Sequence, residues 1–162
     1  MKKLMLISGV SLGLCLSSSV ALADDHEPKA AKSEKQAANQ VTFRKSILQL
    51  VRSNMGPLGA MAKGNIPMDA EVIETNAERI AFLGNMMHDY FSLDTSAFSV
   101  DTEAKSEIWK NYADFTSKTQ DLVDAADNLT QLVASKEDSE YRKGIAKLGA
   151  TCKACHDEYK QD

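Results

Sequence analysis

Apolar residues recur every three or four positions along four stretches of the chain, and this spacing predicts four amphipathic helices. The stretches cover residues 41–62, 73–91, 108–133 and 141–159. Helices with this seam spacing pack nearly antiparallel to one another. Because the links between the stretches are short, we expect an all-α fold, an antiparallel up-down-up-down four-helix bundle.

Turn-forming and capping residues separate the four stretches. Gly-Asn-Ile-Pro at 64–67 ends the first stretch, and Asp69 is placed to cap the second helix. Residues 92–101 read as a polar loop and residues 135–139 as a short connector. Pro57 lies inside the first stretch, and its missing N–H predicts a kink or a local break there.

The N-terminus carries the features of a secretory signal peptide. Lys2 and Lys3 precede an apolar run over 4–16, and Ala-Leu-Ala at 21–23 is a small-x-small cleavage site. The apolar run is too short to span a bilayer comfortably. We therefore expect residues 1–23 to be removed on export, with no membrane anchor left. An uncleaved anchor is the alternative.

The exported chain divides into two parts. Residues 24–39 are almost entirely polar residues and alanine, which predicts a flexible N-terminal segment that becomes helical near its end. Residues 40–162 hold the four stretches and form the predicted bundle domain.

Composition narrows the class of protein further. The chain has 162 residues, of which 43% are hydrophobic and 26% charged, with only three prolines and eight glycines. This balance fits one globular domain and excludes collagen-like or multi-domain organisation. A net charge of -4 argues against nucleic acid as the main partner. The sequence shows no constellation of base, nucleophile and oxyanion donors, so an enzyme is not indicated.

The sequence Cys152-Lys153-Ala154-Cys155-His156 in the fourth stretch is a C-x-x-C-H motif, the attachment signature of haem c. Two thiols three residues apart share one face of a helix. They can form thioethers with the two vinyl groups of one haem, while His156 serves as the axial iron ligand. We therefore expect one covalent haem c.

Two other uses of the cysteines stay open at this point. The pair could form a redox disulfide, although such pairs usually open a helix in a βαβ unit. A zinc site would need further cysteine or histidine ligands. His26 lies in the segment expected to be flexible, and His88 alone does not complete a set.

Arg44 interrupts the apolar seam of the first stretch, between Val41 and Leu48. A charge on such a stripe is costly unless it is paired, and that stretch offers no carboxylate on the same face. A haem propionate would supply an anionic partner suited to a guanidinium. Snorkelling of the side chain to the end of the bundle is the alternative.

Several motifs together resemble the cytochrome c′ family over roughly residues 41–160. The resemblance is carried by the first-helix motif, the starts of the second and third helices, and the attachment helix around C-x-x-C-H. These correspond to residues 42–48, 68–76, 107–109 and 149–159. The resemblance implies a periplasmic four-helix-bundle haem protein, and it independently places Arg44 near a propionate.

Further site residues follow from this resemblance. It implies that Lys45 lies at the haem edge, Phe91 beside the haem pocket and Lys160 on the proximal side, where arginine is usual in the family. It also places Leu48 over the distal face of the haem, where low-spin relatives carry methionine. Since leucine cannot ligate iron, we expect a five-coordinate, high-spin iron. A methionine or His88 as sixth ligand is the alternative.

The resemblance supports two classes of function. The first is binding of small diatomic gases, NO and CO, with a possible role in protection against NO. The second is one-electron transfer between periplasmic redox partners, as in cytochromes of the c556 type. A helical interaction module without haem is an outside alternative. The family commonly forms homodimers through its first two helices, and extra apolar residues beside the second seam, Phe82, Leu83 and Met86, agree with a homodimer.

Overall fold

The computed structural model describes residues 27–161, and the predicted signal peptide lies outside the described residues. The all-α bundle prediction is confirmed within this range. In chain order the elements are β1 (Lys29–Ala30), α1 (Glu34–Ala62), α2 (Ala70–Phe91), β2 (Leu93–Asp94), α3 (Glu107–Lys110), α4 (Tyr112–Ala134), a 3-10 turn (Asp138–Glu140) and α5 (Tyr141–Tyr159).

The four long helices form one bundle around a shared core. Each packs against the next in the chain, α1 on α2, α2 on α4 and α4 on α5, and α5 returns to α1. The largest side chains with almost no exposure are aliphatic: Leu58, Ile73, Ile80, Ile108, Leu129 and Leu148. Within residues 27–161, no helix has both the length and the apolar character that crossing a membrane requires.

The start of α1 lies within residues 24–39, the segment expected to become helical near its end. The Ser33 side chain caps the helix by accepting a 3.2 Å hydrogen bond from the Gln36 amide, and the Gln36 side chain accepts from the Lys32 amide at 2.7 Å. This pair is close to a capping box, and Ala37 behind it is fully buried. A local cap and the burial of one alanine thus define where α1 begins.

The ends of the first two helices follow the sequence signals, but the expected break at Pro57 is absent. Gly64, with φ of 76°, donates to Met61 O, which is the glycine cap predicted after α1. Asp69 caps α2 by accepting from the Val72 amide. Through Pro57 the helix stays continuous, and Leu58 directly after it is fully buried against the core.

The third stretch is interrupted, in contrast to the single helix expected from its spacing. Asn111, with φ of -123° and ψ of 45°, separates α3 from α4. Asparagine is a poor former of helix interiors. Ile108 and Tyr112 on either side both stay buried, and the Trp109 indole donates a 2.9 Å hydrogen bond to Phe91 O. The Trp109 hydrogen bond therefore connects α3 to the end of α2, and the core stays closed at the interruption.

Candidate haem site

Cys152 and Cys155 lie in the last turns of α5 as free thiols. Both are half-buried and pack against the hydrophobic core. Burial raises the pKa of Cys152, and it raises the pKa of Cys155 to about 11, with Lys118 opposing the shift. The two sulfurs stand on the same face of one helix, which is the arrangement required for two thioether bonds to one haem.

His156 follows Cys155 directly and lies in the last turn of α5, where its side chain is exposed. Among the histidines of residues 27–161, it is the one next to the cysteine pair in sequence. Within residues 27–161, no group of three or more His, Cys, Asp or Glu side chains is arranged to hold a metal ion. The donor set that remains, two thiols and one adjacent imidazole, fits haem c.

The contact between α1 and α5 fixes which residue of α1 lies level with His156. The Arg142 guanidinium donates to Ala62 O at the end of α1. The two helices run antiparallel from this point and rise by the same amount per residue. Leu48 and His156 are both 14 residues away from that contact, so residue counting places them within about one helical turn of the same height along the bundle.

Leu48 is on the flank of α1 and not in its buried stripe. Its side chain is 38% exposed, whereas the neighbouring Ile47 is buried at 3%. The sequence reading of Leu48 as a core seam residue was therefore wrong. The buried stripe of α1 passes through Arg44, Ile47 and Val51. The spacing along this stripe alternates between three and four residues. A helical period of 3.6 residues is compatible with more than one such set, so the spacing alone does not decide which residues are buried.

Arg44 is buried and contacts three hydrogen-bond acceptors and two aromatic rings. Its Nε donates to Tyr90 O at 2.8 Å, its Nη1 to Thr95 Oγ1 at 2.9 Å, and its Nη2 to Leu93 O. Its Cζ lies 5.0 Å from the ring centroid of Phe91 and 4.8 Å from that of Trp109. The carbonyls around the end of α2 thus satisfy part of the charge, and the buried side chain does not snorkel to the bundle end.

Burial lowers the pKa of Arg44 to about 10, and the charge of Asp94 opposes this shift. The guanidinium therefore remains charged at neutral pH. A buried cation that keeps its charge places a positive potential at this end of the bundle. The rings of Phe91 and Trp109 add favourable cation–π interactions to the backbone hydrogen bonds.

The other residues implied by the family resemblance occupy the same end of the bundle. Phe91 is buried and its ring lies 4.8 Å from that of Phe115. Lys45 forms a 2.8 Å ion pair with Asp101, and Lys160 forms a 3.1 Å ion pair with Glu103. Lys160 caps the end of α5 in an extended conformation. Both lysines therefore bind the loop between α2 and α3.

The alternative iron ligands lie in other environments. His88 lines an open cleft of about 520 Å³ between α2 and α4, and its ring lies 5.9 Å from that of Tyr112. Met61 and Met87 are buried in the core, whereas Met68 is 37% exposed. The methionines therefore behave as packing residues or surface residues.

Sequence reasoning missed a hydrogen bond beside the C-x-x-C-H motif. Tyr159, three residues after His156, is buried and donates a 2.5 Å hydrogen bond to Asp114 Oδ2 of α4. Its ring also packs edge-on against Phe115 at 5.4 Å. Tyr159 and Phe115 both stand on predicted seams, so their contact could have been found, but the choice of Asp114 as acceptor has no signal in the sequence.

The fold and the C-x-x-C-H site together define a helical-bundle haem c protein. The sequence profile of the family described as Cytochrome C' matches residues 39–160. Among relatives, cytochrome c' of Cereibacter sphaeroides is 34% identical over 133 residues, covering 81% of this chain and 89% of the relative. The chain belongs to the cytochrome c′ family, and it is a haem c protein with one covalent haem.

Solved structures agree with this assignment. Cytochrome c prime from Shewanella frigidimarina has a TM-score of 0.70 and 36% identity, covering 78% of this chain and 97% of its own. The nitric oxide complex of a point mutant of cytochrome c prime from Alcaligenes xylosoxidans has a TM-score of 0.67 and 28% identity. That match covers 78% of this chain and 96% of the other.

Proposed function

We propose that Cys152 and Cys155 hold the haem through thioether bonds and that His156 is its axial iron ligand. Three observations support these roles. The thiols share one face of α5, both pack against the core, and the imidazole follows them in sequence. When bound, haem supplies a redox-active iron that can also bind small diatomic gases.

Extraction of the exported protein with acidified acetone tests this attachment. The haem is expected to stay on the protein, and Cys152→Ala combined with Cys155→Ala is expected to abolish attachment. Circular dichroism of the double variant, compared with the unmodified protein, shows whether the helical bundle still forms. Haem that is extracted from the unmodified protein would contradict the thioether roles.

We further propose that the iron is five-coordinate and high-spin and that the protein binds NO and CO, with protection against NO as its role. The main support for this proposal is the position of Leu48, which lies level with His156 on the facing helix and offers no ligand atom. The nitric oxide complex formed by a point mutant of the related protein from Alcaligenes xylosoxidans is in line with such a role.

Optical spectra of the reduced protein with and without CO and NO test gas binding. A five-coordinate ferrous spectrum that changes on adding each gas is expected. A six-coordinate low-spin spectrum that neither gas alters would favour the electron carrier of the c556 type between periplasmic partners.

Arg44 is proposed to bind a haem propionate. A guanidinium has five N–H donors, and Arg44 uses three of them on Tyr90, Leu93 and Thr95. Two donors are left for a carboxylate at this end of the bundle. In the same proposal Lys45 lies at the haem edge, Phe91 lines the pocket and Lys160 lies on the proximal side.

The surface of α1 and α2 is proposed to form a homodimer interface. Leu50 is 52% exposed and Phe82 is 68% exposed, and together with Leu83 they line an apolar cleft between the two helices. Exposed apolar groups of this kind mark association surfaces.

The protein is further proposed to act in the periplasm after removal of residues 1–23, a cleavage that would leave it without a membrane anchor. Nucleic acid is not among the proposed partners.

A further inference from the structure

The residues ahead of α1 pair with the segment that follows α2. Strand β1 runs parallel to β2, with Lys29 opposite Leu93 and Ala30 opposite Asp94. The Lys29 amide donates to Ser92 O and the Ala31 amide to Asp94 O, both at 2.8 Å. Ala31 is also buried at 9% exposure. We name residues 29–31 the N-terminal strap.

The segment held by the N-terminal strap is the one that holds Arg44. Leu93, which pairs with the strap, gives its carbonyl to the Arg44 guanidinium. Thr95, the next residue after the pairing, is 1% exposed and gives its hydroxyl oxygen to the same group. The strap therefore contacts the backbone that carries two of the three Arg44 acceptors.

The far end of this loop is held separately. The Lys105 amide donates to Tyr159 O at 2.9 Å, and the Gln161 amide donates to Glu103 O at 2.7 Å. Loss of the strap would thus release the start of the loop, near Arg44, while its end stays bound to α5. The family match begins at residue 39, so the strap lies in the part of the chain that precedes it.

We propose that the N-terminal strap is a positioning element for Arg44. It fixes the Leu93 carbonyl and the Thr95 hydroxyl, and these fix the guanidinium at the polar edge of the haem site. The proposal rests on the proposed role of Arg44 beside a propionate. A positive charge held there favours the reduced iron, which carries one positive charge less. Release of the strap is therefore expected to lower the reduction potential.

Proline substitutions at three neighbouring positions distinguish the loss of the strap's hydrogen bonds from other effects of introducing a proline. Ala31→Pro and Lys29→Pro each remove one amide that donates to the loop. Ala30→Pro is the matched control, because in this parallel pairing the donating amides are those of Lys29 and Ala31. All three are made in the haem-loaded protein, together with Arg44→Gln as the reference for loss of the guanidinium charge.

Two measurements read the result. Hydrogen exchange of peptides covering residues 92–96 is expected to speed up tenfold or more in Ala31→Pro and Lys29→Pro. Their reduction potentials are expected to shift down toward that of Arg44→Gln. Ala30→Pro should move neither quantity. If Ala31→Pro does not fold, Lys29→Pro decides the question.

The proposal is overturned if residues 92–96 and the potential stay unchanged in both variants while residues 29–31 exchange faster. It is equally overturned if Ala30→Pro acts as strongly as the other two. Failure of haem attachment would instead contradict the proposed function. Hydrogen exchange of residues 92–96 in the protein as isolated still tests the strap in that case, because exchange of backbone amides does not depend on how the haem is attached.

Discussion

The Tyr159 hydroxyl joins α5 to α4 through a 2.5 Å hydrogen bond to Asp114 Oδ2. Tyr159 stands one turn after His156, so the bond fixes the end of the helix that carries the proposed axial ligand. Asp114 is also 3.6 Å from Lys118, which balances its charge. A buried phenol bonded to a carboxylate is a stronger link than a bond between neutral groups.

Tyr159→Phe is expected to lower the free energy of unfolding by about 1–2 kcal/mol, because it removes a hydrogen bond to a charged partner while keeping the ring. Urea unfolding at pH 7 measures the loss. Tyr112→Phe is the control, since it removes a 3.2 Å bond to the neutral His88 carbonyl. A Tyr159→Phe protein as stable as the unmodified one would show that the bond contributes nothing.

The same tyrosine predicts sensitivity to alkali. Burial, and then the hydrogen bond to Asp114, raise the pKa of Tyr159 above its ordinary value near 10. The unfolded chain therefore loses this proton first as pH rises, and the stability from the neutral phenol declines above pH ~10. Urea midpoints between pH 8 and 11 should fall less steeply in Tyr159→Phe. Parallel pH profiles would contradict this linkage.

Gly84 allows α2 and α4 to approach closely. A Cβ at this position would lie 2.8 Å from Val123 Cγ2, and valine has little freedom to move aside. Gly84→Ala should cost about 1–3 kcal/mol through overpacking. Gly59→Ala, where no atom lies within 4 Å of the added Cβ, should gain up to ~1 kcal/mol. In thermal unfolding, the midpoint temperature should fall for Gly84→Ala and rise for Gly59→Ala.

The sequence was sufficient for features that depend on local chemistry. Three of the four stretches became single helices and the third became two, and the Asp69 cap and the Gly64 turn formed where a capping side chain and a glycine stand. The C-x-x-C-H motif likewise needs only one helix to bring its residues together. Each of these signals lies within about two turns of the chain, so no knowledge of distant partners was required.

Features that depend on distant backbone groups could not be predicted. The acceptors of Arg44 are carbonyls near the end of α2, and every residue type has a carbonyl. The two-residue pairing of β1 with β2 is too short for an alternating pattern to show. Ile47 and Leu48 are both aliphatic and adjacent, so the pattern alone did not decide which one is buried.

The apolar surface of α1 and α2 predicts a dimer that one charge should disrupt. Phe82→Glu places a carboxylate at the most exposed large apolar side chain of the described residues. Sedimentation at micromolar concentration should show a dimer for the unmodified protein and a monomer for Phe82→Glu. Gln131→Glu, on an exposed position of α4, adds the same charge away from this surface and should stay dimeric. An unmodified monomer at all these concentrations would refute the interface.

Leu48 predicts how fast gases reach the iron. Its side chain lies level with His156 and provides neither a ligand atom nor a hydrogen-bond donor. Bound O₂ builds up negative charge and gains little without a donor, whereas CO and NO need none. The bulk of the leucine also has to move before a gas binds, so we expect slow CO binding and poor retention of O₂. Leu48→Ala should speed CO binding by about tenfold, equivalent to ~1.4 kcal/mol of barrier.

Substitution of Leu48 by methionine tests the same position from the opposite direction. A thioether at this height can ligate iron, so Leu48→Met should move the spectrum toward low spin. Ile66→Met and Ile66→Ala are matched controls, since Ile66 is 41% exposed and lies in the turn after α1, away from both proposed sites. Stopped-flow CO binding and optical spectra at neutral pH give both readouts. If the unmodified protein is already six-coordinate and low-spin, another residue fills the sixth position, and neither substitution will change the spectrum in the expected direction.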